Sequence, residues 1–98
     1  MPLELEIPPK ALKDPDSFEL LRVWAADGSQ HVTIIPNFDG GCENFGALVA
    51  DLIRHGARLY SQRENIEVRE SLERIVAAMR RELNEQSNTI TGSIGHDA

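Results

Sequence analysis

The chain has 98 residues, 41% hydrophobic and 27% charged, which allows one domain with a single core, leaves room for about two layers, and excludes wholesale disorder. Its formal net charge of −6 and pI near 4.9, with no basic stripe to offset them, repel phosphate backbones and exclude nucleic acid as a partner. The acidity is uneven: residues 1–42 carry three cations against seven acids, whereas residues 43–86 carry seven arginines against eight acids.

Residues 3–7, Leu-Glu-Leu-Glu-Ile, alternate with period two and stop at Pro8-Pro9. The alternation fits an edge strand whose Glu4 and Glu6 face water, or equally an extended arm with no fixed partner. Residues 10–17 form a polar connector in which Asp14-Pro15-Asp16 favours a turn over a long helix.

The span 20–35 organises the rest. Asp27-Gly28 takes the positive φ angles of a two-residue type I′ turn, and the resulting hairpin pairs Val23 with Val32 and Leu21 with Ile34 on one apolar face. The same register sets Trp24 opposite His31, Arg22 opposite Thr33 and Leu20 opposite Ile35. This second face mixes an aromatic ring, a guanidinium and an imidazole, so it must meet water, ligand or partner.

Pro36 closes the second strand, and Asn37-Phe38-Asp39-Gly40-Gly41 forms a glycine-bearing loop. Over residues 43–62, Leu48, Leu52, Ile53, Leu59 and Tyr60 fall at helical spacing. Gly46 and Gly56 each weaken this helix by about 1 kcal/mol and, with Ala47, Ala50 and Ala57 nearby, suggest a close approach to another backbone. A second helix spans 66–85. Asn65 is its expected amino-terminal cap, Val68, Leu72, Ile75, Val76, Met79 and Leu83 form its apolar stripe, Glu70 pairs with Arg74, and Arg80-Arg81 sit in its last turns. The short connection predicts an antiparallel helix pair. The polar composition of residues 86–98 predicts a mobile tail, from which Ile90–Ile94 can still dock as a short strand.

Several segments together make the chain similar to a family of short uncharacterised bacterial proteins classed as a domain of unknown function. They are Ile7-Pro8-Pro9, Leu21-Arg22-Val23-Trp24 with Gly28 and His31-Val32, Ala50-Asp51-Leu52-Ile53-Arg54-His55, and Thr91-Gly92-Ser93-Ile94. The resemblance implies a compact α+β domain of bacterial origin and supplies no activity, cofactor or catalytic residue. It also implies more structural purpose for Thr91–Ile94 than composition does.

No pattern of catalytic chemistry stands out. Gly40-Gly41 precedes a helix but is flanked by Asp39 and Glu43 and lacks the following lysine of a phosphate loop. Cys42, the single cysteine, excludes an intrachain disulfide framework and a cysteine-rich zinc site. Its two carboxylate neighbours oppose thiolate formation, so it reads as a structural or incidental thiol. Asp39, Glu43 and Asp51 lack calcium-loop spacing and read as a solvated rim, with neither zinc nor calcium expected. His55, at the margin of the first helical stripe, reads as a packed side chain with a nearby hydrogen-bond partner rather than a general base; His96 falls in the tail. Serine-nucleophile motifs and a carboxylate pair for acid–base work are missing.

Met1–Lys10 lacks the regions of a signal peptide and no apolar run reaches the roughly 18 residues of a membrane span, so a cytoplasmic location is expected. The expected fold is a two-layer α+β domain over 1–98, with a β-hairpin sheet covered by two antiparallel helices. The expected role is a non-enzymatic, self-associating binding or regulatory domain, with no cofactor and no catalytic residue. Its interface, most simply that of a homodimer, is the face of Arg22, Trp24, His31, Thr33 and Ile35. The competing reading is a small-molecule-binding domain or minor enzyme using Arg22, Trp24 and His31, with His55 as a further candidate.

Overall fold

The computed structural model of the chain describes residues 1–36 and 39–89, with only the backbone of 86–89. Asn37, Phe38, the Ile90–Ile94 segment and His96 lie outside the described residues. The α+β class is as expected: a two-stranded antiparallel hairpin and two long helices. The chain groups into two compact units, a hairpin unit over Met1–Pro36 and a helical unit that follows it.

In the hairpin unit, residues 1–8 form no strand, and among the described residues the sheet has two strands only. The alternation of residues 3–7 is therefore present as an arm. A short helix, α1 (Pro9–Lys13), replaces the expected connector. Pro9 suits the first helical position, where a missing N–H costs nothing. Both Ala11 and Leu12 donate their N–H groups to the Pro8 carbonyl, at 3.0 and 3.1 Å. Asp14-Pro15 ends α1 in the expected turn, with the Asp16 N–H donating to Asp14 Oδ1 at 2.9 Å. The Ser17 hydroxyl sits 2.7 Å from the Ala11 carbonyl and 2.8 Å from that of Asp14, so the turn is closed from both sides.

The hairpin comprises β1 (Leu21–Ala26) and β2 (Ser29–Ile34), in the register read from the sequence: Leu21 with Ile34, Arg22 with Thr33, Val23 with Val32, and Trp24 with His31. Pairing continues outward as the Ile35 N–H donates to the Leu20 carbonyl at 2.9 Å. Asp27 at φ 51° and Gly28 at φ 75° make the turn.

In the helical unit, α2 (Gly41–Glu64) and α3 (Val68–Thr89) are each longer than expected and pack on each other. α3 runs through Gln86–Thr89, a stretch whose polar composition suggested tail, and this leaves Arg80-Arg81 short of its last turn. Asn65 is not the cap of α3. It takes the left-handed conformation, φ 56° and ψ 52°, and terminates α2 by donating its N–H to the Ser61 carbonyl. The Ile66 N–H donates to the same carbonyl at 3.1 Å, and the Ser61 hydroxyl donates to the Ile66 carbonyl at 2.6 Å. Asparagine tolerates this conformation better than most residues, and a polar residue between two helices can cap either one.

Small residues, not the large apolar stripes, fill the seam. Among the described residues, those buried are Ala57 on α2 and Ser71 on α3, 1% and 2% exposed. Ile75 and Ala78 share Ser71's face, at steps of four and three. Leu72, Val76, Met79 and Leu83 lie about 100° further round the helix and are half-buried or exposed. Expected core residues Leu52, Leu59 and Tyr60 are likewise exposed, whereas Leu48 and Ile53 are half-buried. Glu70 and Arg74 pair as expected, at 3.8 Å, but the shorter contact, 3.3 Å, ties Arg74 to Glu64 on α2.

Candidate functional site

The hairpin holds Arg22 and Trp24 two residues apart on β1, so the pleat turns both side chains to one face. The guanidinium stands 5.8 Å from the centre of the Trp24 ring, a cation–π arrangement within the same chain. Glu19 engages it as a fork, with contacts of 3.1 Å to Nε and 3.2 Å to Nη2. Glu4 reaches Nη1 at 2.9 Å from the amino-terminal arm. The hydrogen bond and charge of Glu19, followed by the charge of Glu4, hold the Arg22 pKa above its ordinary value.

His31, opposite Trp24, is half-buried, and its Nε2 lies 3.1 Å from the Ala26 carbonyl and 3.1 Å from the Ser29 hydroxyl. A carbonyl can only accept, so the first contact keeps the proton on Nε2. Thr33 is exposed and Ile35 half-buried on the same hairpin. Arg22 and Trp24 are thus brought into contact, while His31 is engaged by the turn. The two glutamates that hold Arg22 were missed as site residues. Glu19 was legible as an acid three positions away, but Glu4 depends on the path of the arm.

Beside this face the arm, α1 and β1 enclose a cleft of about 700 Å³, lined by Leu5, Ile7, Leu12, Phe18, Arg22 and Trp24 among others. Its apolar walls are open to solvent: Leu5 is 95% exposed, Leu12 and Phe18 are 69% and Ile7 is 57%.

The remaining candidates stay apart. His55 Nε2 lies 3.3 Å from Asp51 Oδ2 on an exposed turn of α2, a nearby partner as expected but on the surface rather than packed. Cys42 is exposed with a free thiol. Among the described residues no group of three or more His, Cys, Asp and Glu could hold a metal ion, and no helix is long and apolar enough to cross a membrane. Gly40, at φ 88°, precedes α2, and the Asn44 side chain folds back over it to donate to the Asp39 carbonyl.

A solved structure from the photosynthetic bacterium Rhodopseudomonas palustrus CGA009, described as that of "a putative pyruvate dehydrogenase", is similar to this chain with a TM-score of 0.75 and 29% identity. The likeness covers 97% of this chain and 94% of that one. No curated protein matches. The model of a domain of unknown function, DUF5076, matches residues 4–87, nearly the whole of the described chain. By that match, the chain belongs to the DUF5076 family.

Proposed function

We propose that this chain is a non-enzymatic, self-associating binding domain of the bacterial cytoplasm, whose contact surface is the hairpin face of Arg22, Trp24, His31, Thr33 and Ile35. One observation carries the reading: the guanidinium and the imidazole of this face are held inside the chain while the apolar groups beside them are exposed. Arg22 is held by Glu4, Glu19 and the Trp24 ring, and His31 by Ala26 and Ser29. A guanidinium already facing two carboxylates is a poor receptor for an anionic substrate, and an imidazole tied to the turn is poorly placed to move a proton. Exposed leucine, isoleucine and phenylalanine around the cleft are the kind of contiguous apolar surface that monomers seldom leave uncovered. A second copy covers such a patch on both chains at once.

Light scattering at micromolar concentration tests the proposal. Wild type should be a dimer, and Trp24→Ala should weaken it at least tenfold. A monomeric wild type, or a dimer indifferent to that substitution, removes the interface from this face. The second reading, a small-molecule site, is favoured by the cleft volume of about 700 Å³, which is within the range of ligand pockets. It predicts an apolar ligand retained by monomeric protein and lost in Leu12→Ala or Phe18→Ala.

A further inference from the structure

The sheet has two strands, so β1 has an open edge, and the hydrogen-bond pattern shows which groups it presents. The Ile35 N–H bonds to the Leu20 carbonyl, which marks Leu20 and Ile35 as a bonded pair. Bonded and non-bonded pairs alternate along an antiparallel ladder. Arg22, Trp24 and Ala26 therefore turn their backbone groups towards β2, whereas the N–H and C=O groups of Leu21, Val23 and Ala25 point out of the sheet. Val23 is 51% exposed, and Ala25 is exposed too. Three donors and three acceptors in a row form a template for another strand.

The same chain carries a segment written as a strand that makes no strand. Leu3 to Ile7 alternate apolar and acidic, yet the Leu3 and Leu5 side chains are 93% and 95% exposed and the segment joins no ladder among the described residues. Charge indicates where it fits. The Glu4 side chain already reaches Arg22 of β1, at 2.9 Å. If the segment pairs along β1 with Glu4 on the Arg22 face, the pleat places Leu3, Leu5 and Ile7 on the opposite face, beside Leu21 and Val23. Both periodicities, apolar with apolar and acid with guanidinium, are then satisfied in one register.

We propose that residues 3–7 are exchanged between two copies of this chain, each arm adding a third strand to the open β1 edge of its partner and carrying its Glu4 to the partner's Arg22. A two-stranded sheet is marginal alone, and a third strand also covers the open β1 edge. Within one chain, among the described residues, the arm joins no ladder with β1 although Glu4 reaches Arg22, and it leaves Leu3 and Leu5 in solvent, which is why the occupant is a second copy. The inference rests on the self-association proposed above and specifies how it is achieved.

The test compares wild type, Leu5→Pro and Trp24→Ala by light scattering, with amide exchange at Leu21, Val23 and Ala25. Proline removes a strand donor, and at a side chain 95% exposed it disturbs no packed group. Far-UV circular dichroism checks that the helices persist. Arm exchange predicts a wild-type dimer, at least tenfold weaker for Leu5→Pro, with protection of the three amides that falls on dilution and is lost in Leu5→Pro. A dimer that survives Leu5→Pro but not Trp24→Ala overturns arm exchange and leaves the hairpin interface standing. Protection independent of concentration places the arm on its own β1 and also overturns exchange. A monomeric wild type, or a dimer that survives both substitutions, overturns both proposals.

Discussion

At the scale of single residues, backbone conformation sets the firmest expectations. Gly28 sits at φ 75°, and a Cβ added there would meet nothing within 4 Å, so a substitution is strained by its torsion rather than by a clash. Gly28→Val should destabilise the hairpin by more than about 1 kcal/mol, measured by thermal or urea unfolding; a neutral result contradicts the turn geometry. Gly40 combines a φ of 88° with overlap between an added Cβ and the Asn44 side chain. Gly40→Ala should therefore cost about 1–2 kcal/mol from torsion alone, and Asn44→Ala should recover only the part due to overlap. For Arg22 the folded pKa is raised, so its contribution is complete below the unfolded value and is lost only at strongly alkaline pH. The arginine side of the Glu4–Arg22–Glu19 cluster should accordingly add no pH dependence to stability anywhere near neutrality.

At the scale of elements, the helices separate intrinsic propensity from packing. Glycine within a helix usually signals a neighbour that needs the space, which was the expectation for Gly46 and Gly56. Here an added Cβ meets nothing within 4 Å at either position. Gly46→Ala and Gly56→Ala should each stabilise α2 by about 0.5–1 kcal/mol, because alanine restricts the unfolded chain and favours the helix. A loss of stability from Gly56→Ala at high protein concentration but not on dilution would place a second copy's backbone there. The α2–α3 junction shows how little local sequence distinguishes a start from a stop. Asn65 is a good amino-terminal cap and also one of the few residues at ease at positive φ, and the structure uses the second property. Asn65→Gly should be nearly neutral in thermal unfolding and Asn65→Ala should cost about 1 kcal/mol, because glycine takes the left-handed conformation without strain and alanine does not.

At the scale of the whole molecule, Leu72 tests what covers the α3 stripe. It is half-buried within the chain, so Leu72→Ala should cost about 1–2 kcal/mol in dilute protein, below the roughly 2–5 kcal/mol of a fully buried leucine. A cost that rises with protein concentration in urea unfolding would mean that another copy buries the remainder. The sequence by itself determined the hairpin, its turn and its register, because a period of two and an Asp-Gly pair admit one pairing of Leu21–Ala26 with Ser29–Ile34. It also determined two helices and their contact, since their periodicity is strong and three residues separate them. For the candidate face it supplied the residues Arg22, Trp24 and His31 but not their partners. The link from Glu4 to Arg22 spans a helix and a turn that no local pattern encodes. The phase of α3 against α2 was equally beyond it: that phase depends on the left-handed step at Asn65 and leaves the small residues Ala57 and Ser71, not the large apolar stripes, buried. Those choices belong to the tertiary structure, because they compare the packing of surfaces distant in sequence, which periodicity, a property of one segment, does not contain.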